Sequence, residues 1–351
     1  LLGAAALLAR SAVRFSVHRP QVPGDGRWLQ MARGFPRAAA SEALVGGSVL
    51  VRNGHAAAPW LDKSRLLTDY TGAYTTMRTV NCSSVFELSM HCQRLHDTAS
   101  SVMGKKLEEG QAAPALQQAC KFLREGGAQA IKPLIVQELA AGLSYLEGLD
   151  GKDSADDFQV TVVLTCDSAG DGTPADRGFD VFTYVQPMPQ VAPMVDAEAH
   201  RATRPDPTIK SSQWVRDREG LEAIQKKAGV NEVVMFDADG GCTEGLQTNF
   251  FAVAADGTVW TAPDELVLAG TVRKVVLEVC EKHGIPVRFE RPSIQEASTW
   301  ESCFIASTSR LVKPIHTLRV PEDGLDRSFP AAGSVAHRIE ALVKAAVDQN
   351  S

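Results

Sequence analysis

The sequence predicts a mixed α/β protein of two domains, an α+β first half followed by a second mixed domain. Three observations predict it. At 351 residues the chain is long for one domain. Short runs rich in β-branched and aromatic residues interleave with longer segments of near-helical apolar spacing. A proline-rich interval, from Gln186 to Pro207, separates two such series. The expected division is an extension over 1–44, an α+β domain over 45–187, an interdomain loop over 188–206 and a second domain over 207–351.

In order along the chain, Gly47 to Arg52 has strand character and Asn53-Gly54 is a turn signal. Gly72 to Val80 is β-branched and aromatic, and reads as a strand. Ser83 or Ser84 caps a helix expected to run to about Met103, with Phe86, Met90, Leu95 and Val102 at near-helical spacing. Two more helices follow over 111–125 and 131–148, the second stopping at Gly148-Leu149-Asp150-Gly151. Strands Phe158 to Thr165 and Phe179 to Val185 flank a loop of Gly, Asp and Pro. Beyond the proline-rich interval come a helix over 211–228, a strand over 232–236 and an acidic turn over 237–241. Strands over 249–254 and 257–261 meet at Asp256-Gly257, a hairpin signal. A helix from Thr271 to about His283, strands near 286–289 and 303–306, and a helix near 330–348 complete the reading.

Composition narrows the function classes. Hydrophobic content of 44% and charged content of 22% suit a globular protein. No apolar run approaches the roughly 20 residues of a membrane span. A net charge of −6 argues against nucleic acid as the main partner, which needs a basic face. The seven cysteines are scattered without a C-x-x-C pair, so reduced thiols are expected, with no metal site. Residues 1–44 hold six arginines against Asp25 and Glu42, a net +4. Arg-rich, Ala-rich and acid-poor composition is that of an organelle transit peptide. A plastid or mitochondrion is the expected location, with the cytoplasm as the alternative.

The residues that carry chemistry begin with Lys210, in Pro207-Thr208-Ile209-Lys210-Ser211-Ser212-Gln213-Trp214. Thirty-four residues later (244 − 210) stands Glu244, opening Glu244-Gly245-Leu246-Gln247-Thr248-Asn249-Phe250-Phe251. Leu268-Ala269-Gly270-Thr271-Val272-Arg273 starts a helix, whose unpaired N–H groups suit an anion. His91-Cys92-Gln93-Arg94-Leu95 and Ala306-Ser307-Thr308-Ser309 add an arginine fork and a hydroxyl. This set resembles the fold-type IV enzymes that use pyridoxal phosphate, the class IV aminotransferases. These include branched-chain and D-amino acid aminotransferases and aminodeoxychorismate lyases. The pattern is most similar to the plant-type branched-chain-aminotransferase-like proteins. The resemblance spans residues 47–320 and is densest over 207–316.

The resemblance implies a small N-terminal α+β domain, a larger C-terminal mixed β domain and a homodimer. It implies pyridoxal phosphate as cofactor, with Lys210 bonded to its aldehyde and Glu244 facing its pyridine nitrogen, so that the ring accepts electrons. Arg94, Thr271, Val272 and Thr308 are the expected phosphate contacts, Thr308 being equally readable as part of a polar turn. Tyr74 is expected on the substrate side. Asn249 and His91 are read as local scaffolding, and Arg273 as either a family residue or an exposed first-turn arginine. Three positions depart from the family pattern: Thr75 replaces a glutamate, Val272 a threonine, and Val215 a tyrosine five residues after the lysine. Transamination between an amino acid, branched-chain or D, and an α-keto acid is the leading expectation. An aminodeoxychorismate lyase and a non-catalytic cofactor-binding relative are the alternatives.

Overall fold

A computed structural model describes residues 44–45, 47–57, 61–81, 84–111, 113–147, 157–167 and 176–349. The transit-peptide expectation for the N-terminal extension, the Ser83 cap and the stop at 148–151 lie outside these residues.

The first sheet is built from β1 (Leu44–Val45), β2 (Ser48–Arg52), β3 (His55–Ala56), β4 (Gly72–Val80), β5 (Ser84–Val85), β6 (Phe158–Thr165) and β7 (Asp180–Pro187). Its order is β1-β2-β7-β6-β4-β5, with β3 folded back on β2. The Asn53-Gly54 turn forms as expected, with φ of 51° and 83°. Helices α1 (Lys63–Asp69), α2 (Leu88–Glu108) and α3 (Pro114–Glu147) cover the sheet. Alternation along the strands divides their side chains between two faces. Ala73 and Met77 of β4 pack with Leu95 of α2 and Leu139 of α3. Tyr74 turns the other way, toward Leu66 of α1 and Phe182 of β7.

Two expectations change here. Ser84 lies in β5, so α2 starts at Leu88, after Glu87 in the left-handed conformation at φ 51°. Pairing of β5 with β4 takes up backbone groups that a helix would have used. The two helices expected over 111–125 and 131–148 are nearly continuous, broken at Gly127 (φ 55°, ψ −163°), a conformation suited to glycine.

The second sheet holds β8 (Val195–Arg201), β9 (Glu232–Phe236), β10 (Cys242–Gly245), β11 (Asn249–Val253), β12 (Val259–Trp260), β13 (Val287–Arg288), β14 (Ser302–Ser307), β15 (Leu311–Val320) and β16 (Leu325–Ser328). The order runs β10-β9-β8-β15-β14-β11-β12-β13, and β16 pairs with β15. A further pairing, Glu244 opposite Asn249, joins β10 to β11, so six strands close into a ring. Helices α4 (Gln213–Asp217) and α5 (Glu219–Ala228) follow β8, α6 (Thr271–Lys282) follows β12, and α7 (Val335–Gln349) ends the chain. Phe251 of β11 stacks on Phe304 of β14, with ring centroids 4.6 Å apart, under α6 and α7.

The interval 188–206, expected as an interdomain loop, contains β8. This strand lies between β9 and β15, paired parallel to both. Val195, Ala197 and Ala199 alternate into the core there. The prolines at both ends mask that short alternation. The helix expected over 211–228 is broken at Arg218, and β10, β15, β16 and α1 were not anticipated. Among the described residues no helix is long and apolar enough to cross a membrane. The six cysteines among them are free, and no cluster there is suited to a metal ion.

Candidate active site

Lys210 follows β8 and is fastened to the first sheet rather than the second. Its N–H donates to Thr98 Oγ1 at 3.1 Å and its carbonyl accepts from Tyr74 N at 2.9 Å. Ser212 completes the clasp: its hydroxyl donates to Tyr70 O at 2.7 Å and accepts from Gly72 N at 3.0 Å. The polar Lys210-Ser211-Ser212 run thus behaves as a short strand against β4. The Lys210 ammonium sits 4.8 Å from the centre of the Tyr74 ring. Burial pulls its pKa down to about 8, with Arg94, Arg204 and Arg218 adding to the fall and Tyr74 opposing it. Burial pushes the Tyr74 phenol up, but Lys210, Arg218 and Arg204 outweigh it and bring it to about 8.

Glu244 sits where β10 meets β11, and is 3% exposed. One oxygen accepts from Arg204 Nη1 at 3.2 Å, the other from Leu268 N at 3.2 Å. Burial raises its pKa, while Arg204 and the Leu268 N–H pull the other way. Asn249, opposite it, donates to Leu268 O at 2.8 Å, so one strand pair holds both sides of the 268–270 bend. The scaffolding role expected of Asn249 is what it performs.

That bend leads into α6. Gly270 caps the helix without any side-chain hydrogen bond, leaving its first N–H groups directed outward. Only glycine fits there, since a Cβ would lie 2.1 Å from Asn249 Oδ1. Thr271 Oγ1 and Thr308 Oγ1 lie 2.8 Å apart at this end. Arg94 of α2 is half-buried, and desolvation of its guanidinium lowers its pKa to about 10. Its Nη2 donates to Thr75 Oγ1 at 2.6 Å and lies 3.0 Å from His91 Nδ1, while its Nε has no partner. Burial and the Arg94 charge keep His91 neutral, its pKa far below the usual histidine value. Thr75, a departure from the resembled pattern, therefore orients the arginine.

Lys210, Glu244, Arg94, Thr271, Val272, Thr308 and Tyr74, the residues singled out from sequence, all line one cavity of about 380 Å³. That volume falls in the usual range of small-molecule sites, roughly 300–1,000 Å³. Arg273 does not join them. It is 3% exposed and turns to Asp264 and to Ala262 O, so the reading of it as an exposed first-turn arginine does not hold. Val215 packs beside Tyr74 in the place where the resembled pattern has a tyrosine. Four charged lining residues have no counterpart in the sequence reading: Lys63, Arg204, Arg218 and Glu222. Arg204 lies six residues before Lys210 (210 − 204), inside the proline-rich interval, and only its neighbourhood to the lysine hinted at a role.

The donor set fits pyridoxal phosphate. A desolvated amine suits its aldehyde, a buried carboxylate its ring nitrogen, and an uncapped helix start with two hydroxyls and an unpartnered arginine Nε its phosphate dianion. Fold and site together define a pyridoxal-phosphate protein of fold type IV. The family model for amino-transferase class IV matches residues 72–318, and the chain belongs to that family. It is 26% identical over 159 residues to a D-alanine aminotransferase of Staphylococcus haemolyticus, covering 40% of this chain and 56% of that one. The chain thus spans about half the length of that relative. To the branched-chain-amino-acid aminotransferase of Escherichia coli it is 25% identical over 261 residues, 73% of this chain and 76% of that one. An aminotransferase of Brucella abortus, solved bound to PLP, superposes with a TM-score of 0.61 at 18% identity, covering 86% of this chain and 99% of that one.

Proposed function

We propose that this chain is a transaminase that uses pyridoxal phosphate to move an amino group between an amino acid and an α-keto acid. One observation carries the reading: the buried Lys210 amine, the buried Glu244 carboxylate and the uncapped start of α6 face a single cavity. The cofactor would supply an aldehyde and an electron-accepting ring, the chemistry that makes a substrate α-proton removable. Arg94, Thr308, Thr271 and the N–H groups at the start of α6 would hold its phosphate. Glu244, kept in place by Arg204 and Leu268 N, would hold a proton at the ring nitrogen. Lys210 Nζ would carry the proton away from the substrate α-carbon, a task suited to an amine of pKa about 8. A homodimer is part of the same reading, supported by the family resemblance.

The test is the visible absorption of purified protein with pyridoxal phosphate, before and after a set of L- and D-amino acids. A yellow band that an amino donor bleaches, with the matching keto acid released, is the expected result. No yellow band would overturn the role of Lys210. A band unchanged by every donor, with pyruvate released from aminodeoxychorismate, would replace transamination by the lyase reaction.

A further inference from the structure

Glu232, at the start of β9, has no part in the roles above, yet it is 1% exposed and its carboxylate is fully engaged. Its Oε1 accepts from Leu246 N at 3.1 Å and from Val233 N at 3.2 Å. Its Oε2 accepts from Thr248 Oγ1 at 3.1 Å and from Arg310 Nη1 at 3.1 Å. A buried carboxylate is tolerated only when donors and a cation surround it in this way. Leu246 N is shared with Val233 O at 3.2 Å, so the Thr248 hydroxyl and the Arg310 guanidinium are the side chains that Glu232 joins.

These two side chains belong to separate turns, and each turn lines the cavity of Lys210. Thr248 closes the turn that starts at Gly245, between Glu244 and Asn249. The fit is close: a Cβ on Gly245 would lie 2.3 Å from Thr248 Oγ1 and 2.9 Å from the Glu232 carboxyl carbon. Arg310 ends the turn between β14 and β15, where Thr308 meets Thr271 at the start of α6. Leu311, next along, holds φ 55°, a left-handed conformation that a bulky side chain keeps only where its surroundings enforce it. One turn therefore serves the ring-nitrogen end of the cavity and the other its phosphate end. We propose that Glu232 is a positioning residue: by joining Thr248 to Arg310, it fixes the span between Glu244 and the phosphate contacts. This role rests on pyridoxal phosphate occupying the cavity as read above, and it holds for transfer and elimination alike. A rigid ligand anchored at both ends gains from such a frame, because neither anchor has to move to meet it. A fragment anchored at one end gains nothing.

The experiment titrates Thr248→Val, Arg310→Gln and the double variant with pyridoxal phosphate, read by the yellow band, and with pyridoxal, which lacks the phosphate. Each single change removes one arm of the bridge and leaves Glu232 in place. Each should weaken pyridoxal phosphate at least about tenfold, the worth of one charge-assisted contact. The double variant should bind no more weakly than the poorer single one, since a bridge cut once is already open. Affinity for pyridoxal should be the same in all of them. Glu232→Gln leaves a buried arginine unpaired, so the two outer variants carry the test. Losses that add in the double variant, or that fall equally on pyridoxal and pyridoxal phosphate, overturn the proposal. An unaltered protein that turns yellow, with single variants that bind as tightly, rejects the bridge alone. An unaltered protein that forms no yellow band rejects the cofactor site and the bridge with it.

Discussion

Lys210 and Tyr74 share one buried space, and their proton equilibria act on stability in the same direction. Unfolded, the amine titrates near 10.5 and the phenol near 10.0; folded, each titrates near 8. Between about pH 8 and 10 the unfolded chain therefore holds protons that the folded chain has released. Stability of the cofactor-free protein should rise with pH across that window. At pH 7 the buried ammonium is a cost on the order of 3 kcal/mol. Lys210→Met should accordingly stabilise the cofactor-free protein at pH 7 by about 1–3 kcal/mol in denaturant unfolding, the gain shrinking above pH 8, while abolishing the yellow band. A variant no more stable than its parent at pH 7 would contradict the desolvated amine. Glu244→Gln preserves shape and hydrogen bonding toward Arg204 but removes the carboxylate charge. It should retain cofactor and slow the half-reaction roughly a hundredfold in stopped-flow traces.

At the scale of elements, the start of α6 depends on β10 and β11. Asn249 carries the bend that directs the helix toward the cavity, and Gly270 leaves the space that Asn249 occupies. Gly270→Ala would push the Asn249 amide off Leu268 O. We expect a loss of about 1–3 kcal/mol in unfolding free energy, with cofactor affinity weakened at least about tenfold, read by fluorescence titration. Unchanged affinity would show that the helix start does not hold the phosphate. The Ser212 clasp works similarly for β4 and Lys210. Its hydroxyl serves two backbone groups, Gly72 N and Tyr70 O, across 140 and 142 residues of chain.

On the scale of the whole molecule, the cavity is assembled from both sheets. Tyr74 and Arg94 come from the first half, while Glu244 comes from the closed ring of strands, Thr271 from α6 and Thr308 from the turn between β14 and β15. A ligand that touches both halves stabilises both by mass action, by about 2.7 kcal/mol at a hundred times its Kd. Adding pyridoxal phosphate should thus slow amide hydrogen exchange in β4 and in β11 together. Protection confined to one sheet would show that the cofactor is held by that half alone.

Much of this was legible along the chain. The β-branched and aromatic run at 72–80 and the apolar run at 232–236 became strands, because such side chains fit a pleated, buried surface. Lys210, Glu244 and the Gly270 helix start were recognisable through the family resemblance, carried by the spacing of lysine to carboxylate and by the glycine before a helix. β8 was hidden between prolines, since only its two parallel neighbours, distant in sequence, reveal it as a central strand. The sequence by itself determined the mixed class, the family resemblance and seven residues that meet around one cavity. The tertiary structure alone decided that Arg204 belongs to Glu244, that Thr75 orients Arg94, and that Lys63 and Arg218 share one space. Charges on separate elements have no local signature. Their partners are fixed only when the two sheets close around a cavity from which water is withdrawn.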